Sequence, residues 1–360
     1  MPFQQSRRDF LAAVTVPALA AVGAPSLLTS ETRAADAADR VAFFLVGDTH
    51  YLANKEKPSE LDATSRAVTS RFIETLNRLP GTDISEAAGG GKVIAPRGVI
   101  HCGDVIDTGD KNGSAAVAMQ QTEWAAFEAD FGLKGTEGKL KLPVFEVHGN
   151  HDSPGGQGLA INEIKRRNQQ RAGLANVSDN GLHYSWNWGG VHFVNLGIVV
   201  GGLKEVTRRR RYAPLDSLPF LADDLARNAK DGQPVVLTHH VDVARNSDVC
   251  NPTAAVGNGE WDACDVQAYF ELVKKHRIAA VLYGHTHARS VYRWDGSKST
   301  KQTTGIPVFN NDNSAHFNSV TQAFLYFEIS AKELLAREYS TTDAWQTGGW
   351  SPTSWRVPLA

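Results

Sequence analysis

Five short polar motifs, each directly behind an apolar, β-branched run, constrain the fold of this 360-residue chain more than any other feature. They are Gly47-Asp48-Thr49-His50, Gly103-Asp104-Val105-Ile106-Asp107, Gly149-Asn150-His151-Asp152, Thr238-His239-His240 and Gly284-His285-Thr286-His287. The runs Val41 to Val46, Arg97 to Gly103, Pro143 to Val147, Val191 to Leu196, Pro234 to Thr238 and Ile278 to Gly284 read as strands. Helical stretches are expected over Glu60 to Leu79, Ser114 to Phe131, Gly158 to Ala172, Leu215 to Lys230 and Asp262 to His276, with Pro80-Gly81 stopping the first. Ile306 to Asn310, Ala323 to Ser330 and Glu333 to Tyr339 add strands to a sheet-rich last third. This is an α/β pattern without an internal repeat. In open α/β sheets ligands bind at strand ends, so five polar clusters there can converge on one place. Their carboxylates, imidazoles and single amide oxygen are metal-coordinating types. Each preceding glycine lets the backbone turn without a Cβ in the way.

Composition narrows the function further. Thirty-seven Lys and Arg against 39 Asp and Glu give a net charge of −2, which lacks the basic excess of a general nucleic-acid binder. Three cysteines are too few for a disulfide framework. Beyond residue 40 no apolar run approaches the roughly 18 residues a membrane span needs. The first 37 residues read as an address. Arg7-Arg8 precede an Ala-rich stretch interrupted by Pro17, Gly23 and Pro25, and Ala35-Asp36-Ala37 offers a small-residue cleavage site. This segment resembles a bacterial Tat signal. It implies export in folded form through the Tat machinery to the periplasm, with any metal loaded beforehand.

The five blocks, in their order, resemble those of the calcineurin-like metallophosphoesterases, the superfamily of purple acid phosphatases and class III cyclic nucleotide phosphodiesterases. The resemblance runs from about Val41 to His287. It implies a four-layer α/β/β/α sandwich over residues 38–340, followed by a Trp-containing tail, 341–360. It also implies two divalent or trivalent metal ions, manganese, iron or zinc. By that resemblance Asp48, His50 and His287 hold the first ion, Asn150, His239 and His285 the second, and Asp104 bridges them. A hydroxide between the ions attacks phosphorus, His151 assists the departing alcohol, and Asp152 orients or tunes that imidazole. In the tandem His239-His240 the ligand is ambiguous, and alignment to the strand end favours His239. Asp107 stands where purple acid phosphatases carry a Tyr ligand, which weakens an iron–zinc assignment.

The expected reaction is hydrolysis of small phosphomonoesters by a monomer or small oligomer, without a stable nucleic-acid or membrane partner. A phosphodiesterase, a nuclease and a metal-binding scaffold without turnover are the rival readings.

Other features are ambiguous by sequence. Arg208, Arg209, Arg210 and Arg211 lie in a long loop, where they read either as a phosphate clamp or as a solvated hinge. Cys250 and Cys264 flank a second long loop, and an oxidising compartment would allow them to pair, although spacing alone leaves this open. Trp345, Trp350 and Trp355 recur every five residues, a period matching neither one strand face nor one helix face. His148 reads as a buried strand histidine, and Asn310-Asn311-Asp312-Asn313 as a turn near the site rim.

Overall fold

Strand β1 (Val41–Val46) shows how the layers arise, because its side chains alternate between two cores. Val41, Phe43 and Leu45 enter one cluster, while Ala42, Phe44 and Val46 enter another. The structure is a computed structural model that describes residues 40–247, 249–253 and 259–359. The predicted Tat signal lies outside them.

Two sheets carry the fold. The first, in spatial order β13-β12-β11-β1-β2-β3, has six strands. Beside β1 it contains β2 (Val99–His101), β3 (Val144–Glu146), β11 (Gln322–Ile329), β12 (Glu333–Thr341) and β13 (Gly349–Pro358). The second, β4-β5-β6-β7-β8-β10-β9, has seven. It comprises β4 (Leu174–Val177), β5 (Tyr184–Trp188), β6 (Val191–Asn195), β7 (Val235–Thr238), β8 (Ile278–Tyr283), β9 (Ser290–Trp294) and β10 (Ile306–Asn310). Within the first sheet β1, β2 and β3 run parallel, and within the second β6, β7, β8 and β10 do. Each parallel set therefore presents its C-terminal ends along one edge.

The inner faces meet in an aromatic core. Phe145 of the first sheet stacks on Trp186 of the second at 4.3 Å, and Phe43 meets Phe193 edge-on at 5.4 Å. Offset and edge-on rings of this kind add to the burial of area, and losing one large ring from such a core costs about 3–5 kcal/mol. The outer face of the first sheet packs on α1 (Ala63–Arg78), α2 (Ser114–Asp130) and α3 (Leu159–Gln170) through Phe72, Leu76, Trp124, Phe127 and Ile164. The outer face of the second packs on α4 (Ser217–Asn228) and α5 (Ala263–Val273) through Leu221, Leu225, Val266 and Tyr269. The result is the expected four-layer α/β/β/α sandwich. Helix starts follow local chemistry: Asp62 accepts from the amides of Thr64 and Ser65 at α1, and Asp262 from that of Cys264 at α5.

The expected tail is corrected by this topology. Residues 349–358 are β13, the edge strand of the first sheet, paired antiparallel with β12. Trp355 packs against the inter-sheet cluster and Trp350 against the helix-side cluster, so an odd spacing places the two on opposite faces of one strand. Strands β4, β5 and β9 also exceed the sequence expectation.

Candidate metal centre

The polar blocks sit at the C-terminal ends of β1, β2, β3, β7 and β8, where the edges of both sheets meet. Asp48, His50, Asp104, His285 and His287 all hold positive φ, between 43° and 73°, a region uncommon for residues other than glycine. Such strain concentrates where side chains must be aimed rather than packed. The glycines permit close approach: a Cβ on Gly149 would fall 2.2 Å from Asp104 Oδ1, and one on Gly284 2.5 Å from Asp48 Oδ2.

Asp48, His50 and His287 bring one donor atom each within 4.8 Å of one another, and so do Asp104, His240 and His285. Asp104 lies between the groups, with Oδ2 3.6 Å from His50 Nε2 and 3.2 Å from His240 Nε2. Asn150 Oδ1 is 3.2 Å from His240 Nε2. Asp104 Oδ1 accepts from the His151 amide at 2.7 Å, and Asp48 accepts from the His285 amide at 3.0 Å. Each carboxylate is thereby fixed by the neighbouring block.

The imidazoles are oriented from outside the centre. His50 Nδ1 donates to Asp107 Oδ1 at 3.1 Å, His240 Nδ1 to the Cys102 carbonyl at 2.8 Å, and His285 Nε2 to Glu260 Oε2 at 3.0 Å. Carbonyl and carboxylate oxygens only accept, so these bonds protonate the outer nitrogens and leave one lone pair per ring for the interior. His50 Nε2 and His287 Nε2 face each other at 3.2 Å. Converging lone pairs and carboxylates form a donor set that fits a pair of cations.

At the fourth block the geometry departs from the expectation. His240, not His239, joins Asp104, Asn150 and His285. His239 turns to the helix side, with its ring 4.9 Å from Trp261 and 5.9 Å from Tyr269 and neither nitrogen hydrogen-bonded. Burial pushes the His239 pKa down to about 3. Burial also acts on His240, but the carboxylates of Asp104 and Asp48 outweigh it, and the same negative field favours a cation beside this ring. Parity decides the matter: Val236 points to the inter-sheet core and Leu237 to the helix side, so Thr238 and His240 point inward and His239 outward.

A second departure concerns Asp152. Its buried carboxylate accepts from the amides of Gly149, Val105 and Ile106 at 2.7, 3.0 and 2.9 Å, tying the β2 and β3 loops together. It does not orient the His151 ring. That task falls to Asp107, whose carbonyl accepts from His151 Nδ1 at 3.1 Å and whose carboxylate lies 3.9 Å away. Burial opposes protonation of His151, yet Asp104, Asp107 and this hydrogen bond raise its pKa above the usual value.

The Arg run divides. Arg208 pairs with Asp262 at 2.7 Å and Arg210 with Asp265 at 2.5 Å, which ties the long loop to α5 and removes both from a clamp. Arg209 is exposed. Arg211 approaches Glu260 at 3.7 Å, and Arg245 bonds the same carboxylate. Cys250 and Cys264 form a disulfide that staples the Glu260 loop to the start of α5. His148 is buried, as expected. The segment after β10 reaches the site: Ser314 exchanges bonds with the Gly47 backbone, and His316 lies 4.6 Å from His50 and 4.9 Å from His287. Sequence reading missed Glu260, because no strand precedes it. It missed His316 too, although that residue follows a further strand of the parallel set.

Paired Asp/His donor sets at the strand ends of a two-sheet α/β fold define a metal-binding class of protein. The chain is a member of the calcineurin-like phosphoesterase family, which it matches over residues 41–289 and which uses a dinuclear metal centre. Among solved structures it is similar to PhoD, with a TM-score of 0.52 and 10% identity over 89% of this chain and 70% of that one. A dimetal phosphatase from Danio rerio is similar at TM-score 0.41 and 12% identity, over 89% and 99% of the two chains. GAP50, the anchor in the inner membrane complex of Plasmodium, is similar at 0.48 and 11%, over 89% of each. No curated protein sequence matches the chain.

Proposed function

We propose that this protein hydrolyses phosphomonoesters at a two-metal centre held by Asp48, His50 and His287 on one side and Asn150, His240 and His285 on the other, with Asp104 shared. The carrying observation is the pair of donor sets joined through Asp104, with the imidazole of His151 packed 4.7 Å from that of His50. When bound, two such ions supply Lewis-acid stabilisation and a nucleophile at neutral pH. His151, held through Nδ1 by the Asp107 carbonyl, keeps Nε2 available to deliver a proton to the departing alkoxide. Asp107 orients His50 and His151 together. Arg211 and Arg245 both approach Glu260 beside His285, which supports guanidinium groups at the rim that can receive the extra charge of a dianionic monoester.

The twin-Arg segment supports Tat export to the periplasm, where we take the protein to act as a monomer or small oligomer on a small phosphorylated molecule. The test uses one chromogenic alcohol as both monoester and diester, assayed before and after metal stripping. Metal-restored hydrolysis favouring the monoester is expected. A clear preference for the diester overturns the ester class, and two tightly bound ions without hydrolysis of either favours the scaffold.

A further inference from the structure

His316 lies outside the residues that define the family match and is used by nothing described so far. It sits in the segment after β10, the strand beside β8 in the parallel set, so the chain delivers it to the same edge as the metal donors. Its ring is 4.6 Å from that of His50 and 4.9 Å from that of His287, and one of its nitrogens falls within 4.8 Å of donor atoms of His50 and Asp107.

The hydrogen bonds of this ring restrict what it can do. Nδ1 accepts from the Asn318 amide at 3.1 Å. An imidazole nitrogen has one in-plane lone pair, so Nδ1 is spent, the ring is neutral, and its one N–H is on Nε2. Neither nitrogen then has a pair to give to a metal. His151 shows the opposite arrangement: its Nδ1 donates to a carbonyl, so its Nε2 can both lose and regain a proton. His316 is a fixed donor. Its own segment holds it in place, with the His316 amide on Asn313 Oδ1 at 3.2 Å and its carbonyl receiving Gln322 Nε2 at 2.9 Å and the Ser319 amide at 3.0 Å. The ring also stacks on Phe317 at 4.6 Å. It is half-buried, and among the described residues Nε2 has no protein acceptor. Asp107, the carboxylate grouped with it, already accepts from His50.

From this geometry we propose that His316 is a substrate-contacting residue whose Nε2–H donates to a phosphoryl oxygen of the bound ester on the His50 and His287 side. The proposal rests on the phosphoester reading. It divides the two non-ligating imidazoles by tautomer: His151 moves a proton, and His316 holds the phosphoryl group in line without exchanging one.

The test compares the metal-loaded full chain with His316→Phe, which keeps the stack on Phe317 but donates nothing, and with His316→Gln, whose amide can donate. Inorganic phosphate is titrated calorimetrically, bound metal is measured by elemental analysis, and KM and kcat are taken on a chromogenic monoester. All three proteins are expected to hold two ions. His316→Phe is expected to weaken phosphate binding roughly 10- to 100-fold, the range for one hydrogen bond to a charged group, and to raise KM. His316→Gln is expected to recover part of both, and supplies the comparison alone if His316→Phe does not fold. Loss of an ion on substitution makes His316 a ligand and overturns the proposal. Phosphate affinity within twofold of wild type overturns it while leaving the phosphoester reading intact. Wild-type protein that neither binds phosphate nor hydrolyses the ester overturns both.

Discussion

His239 and His240 are adjacent and chemically identical, and strand parity alone separates their roles. His240→Ala is expected to lower bound metal from two ions toward one per chain, because it removes a donor that converges on Asp104 and Asn150. His239→Ala is expected to retain both ions and instead to destabilise the fold by about 2–4 kcal/mol, through the cavity left beside Trp261 and Tyr269. Elemental analysis with denaturant unfolding of both variants checks this, and metal loss from His239→Ala would reverse the assignment. This distinction was not legible in the sequence, because β7 is apolar and buried on both faces and only the packing of Val236 against the other sheet shows which parity points inward. Most of the donor set was legible, because a strand end fixes the position of a residue within a few ångströms. Asp152 was misread because adjacency to His151 says nothing about direction, and three backbone amides claim its carboxylate. Glu260 escaped because long-range folding alone brings it to the centre, and His316 because it lies beyond the turn after β10 rather than at the strand end itself.

At the scale of elements, the five α-helices of the described residues were readable as the stretches between strands, and the edge strand β3 was readable too, whereas the edge strands β4, β9 and β13 were not. β13 carries Pro352 and Pro358, is largely exposed and shifts register against β12, so it shows no clean alternation. The Glu260 loop is an element of another kind, fixed by a covalent bond and two ion pairs rather than by a core. Cys250 and Cys264 close it across 14 residues, Arg208 and Arg210 bind it and α5 to the preceding loop, and Glu260 holds His285. Joint replacement of both cysteines by serine is expected to cost about 3 kcal/mol, the chain-entropy value for a loop of this length. It is also expected to quicken loss of the ion held by His240 and His285, because Glu260 is then less firmly placed. Chelator-driven release kinetics, read beside the unfolding midpoint, test this; unchanged release would confine the disulfide to a stabilising role.

Across the whole molecule the layers are joined by chemistry as well as by packing. Glu146, the last residue of β3, is fully buried with Arg167 Nε at 2.7 Å and Arg171 Nη2 at 2.5 Å, both from the α3 region. The Arg167 guanidinium also reaches the Phe131 carbonyl just beyond α2, and that of Arg171 lies over the Phe145 and Tyr184 rings, so one carboxylate organises contacts between a sheet and two helices. Burial alone would raise the Glu146 pKa, but the two guanidinium groups outweigh it and hold it at about 2. The folded pKa is thus below the ordinary glutamate value near 4.5, and linkage fixes the sign. The stabilisation is complete above about pH 4.5 and is lost as pH falls through about 2. Glu146→Gln strands two buried cations and is expected to cost about 3–5 kcal/mol at neutral pH. The gap between wild type and variant should stay constant down to about pH 4.5 and narrow below it, as the wild type loses the same charge. Because the metal centre is common to both proteins, its own acid sensitivity cancels in the difference. Guanidine unfolding across this range measures the gap directly, and a gap that persists unchanged toward pH 2 would mean that ionisation of Glu146 between its two guanidinium partners is not what stabilises the contact of β3 with α3.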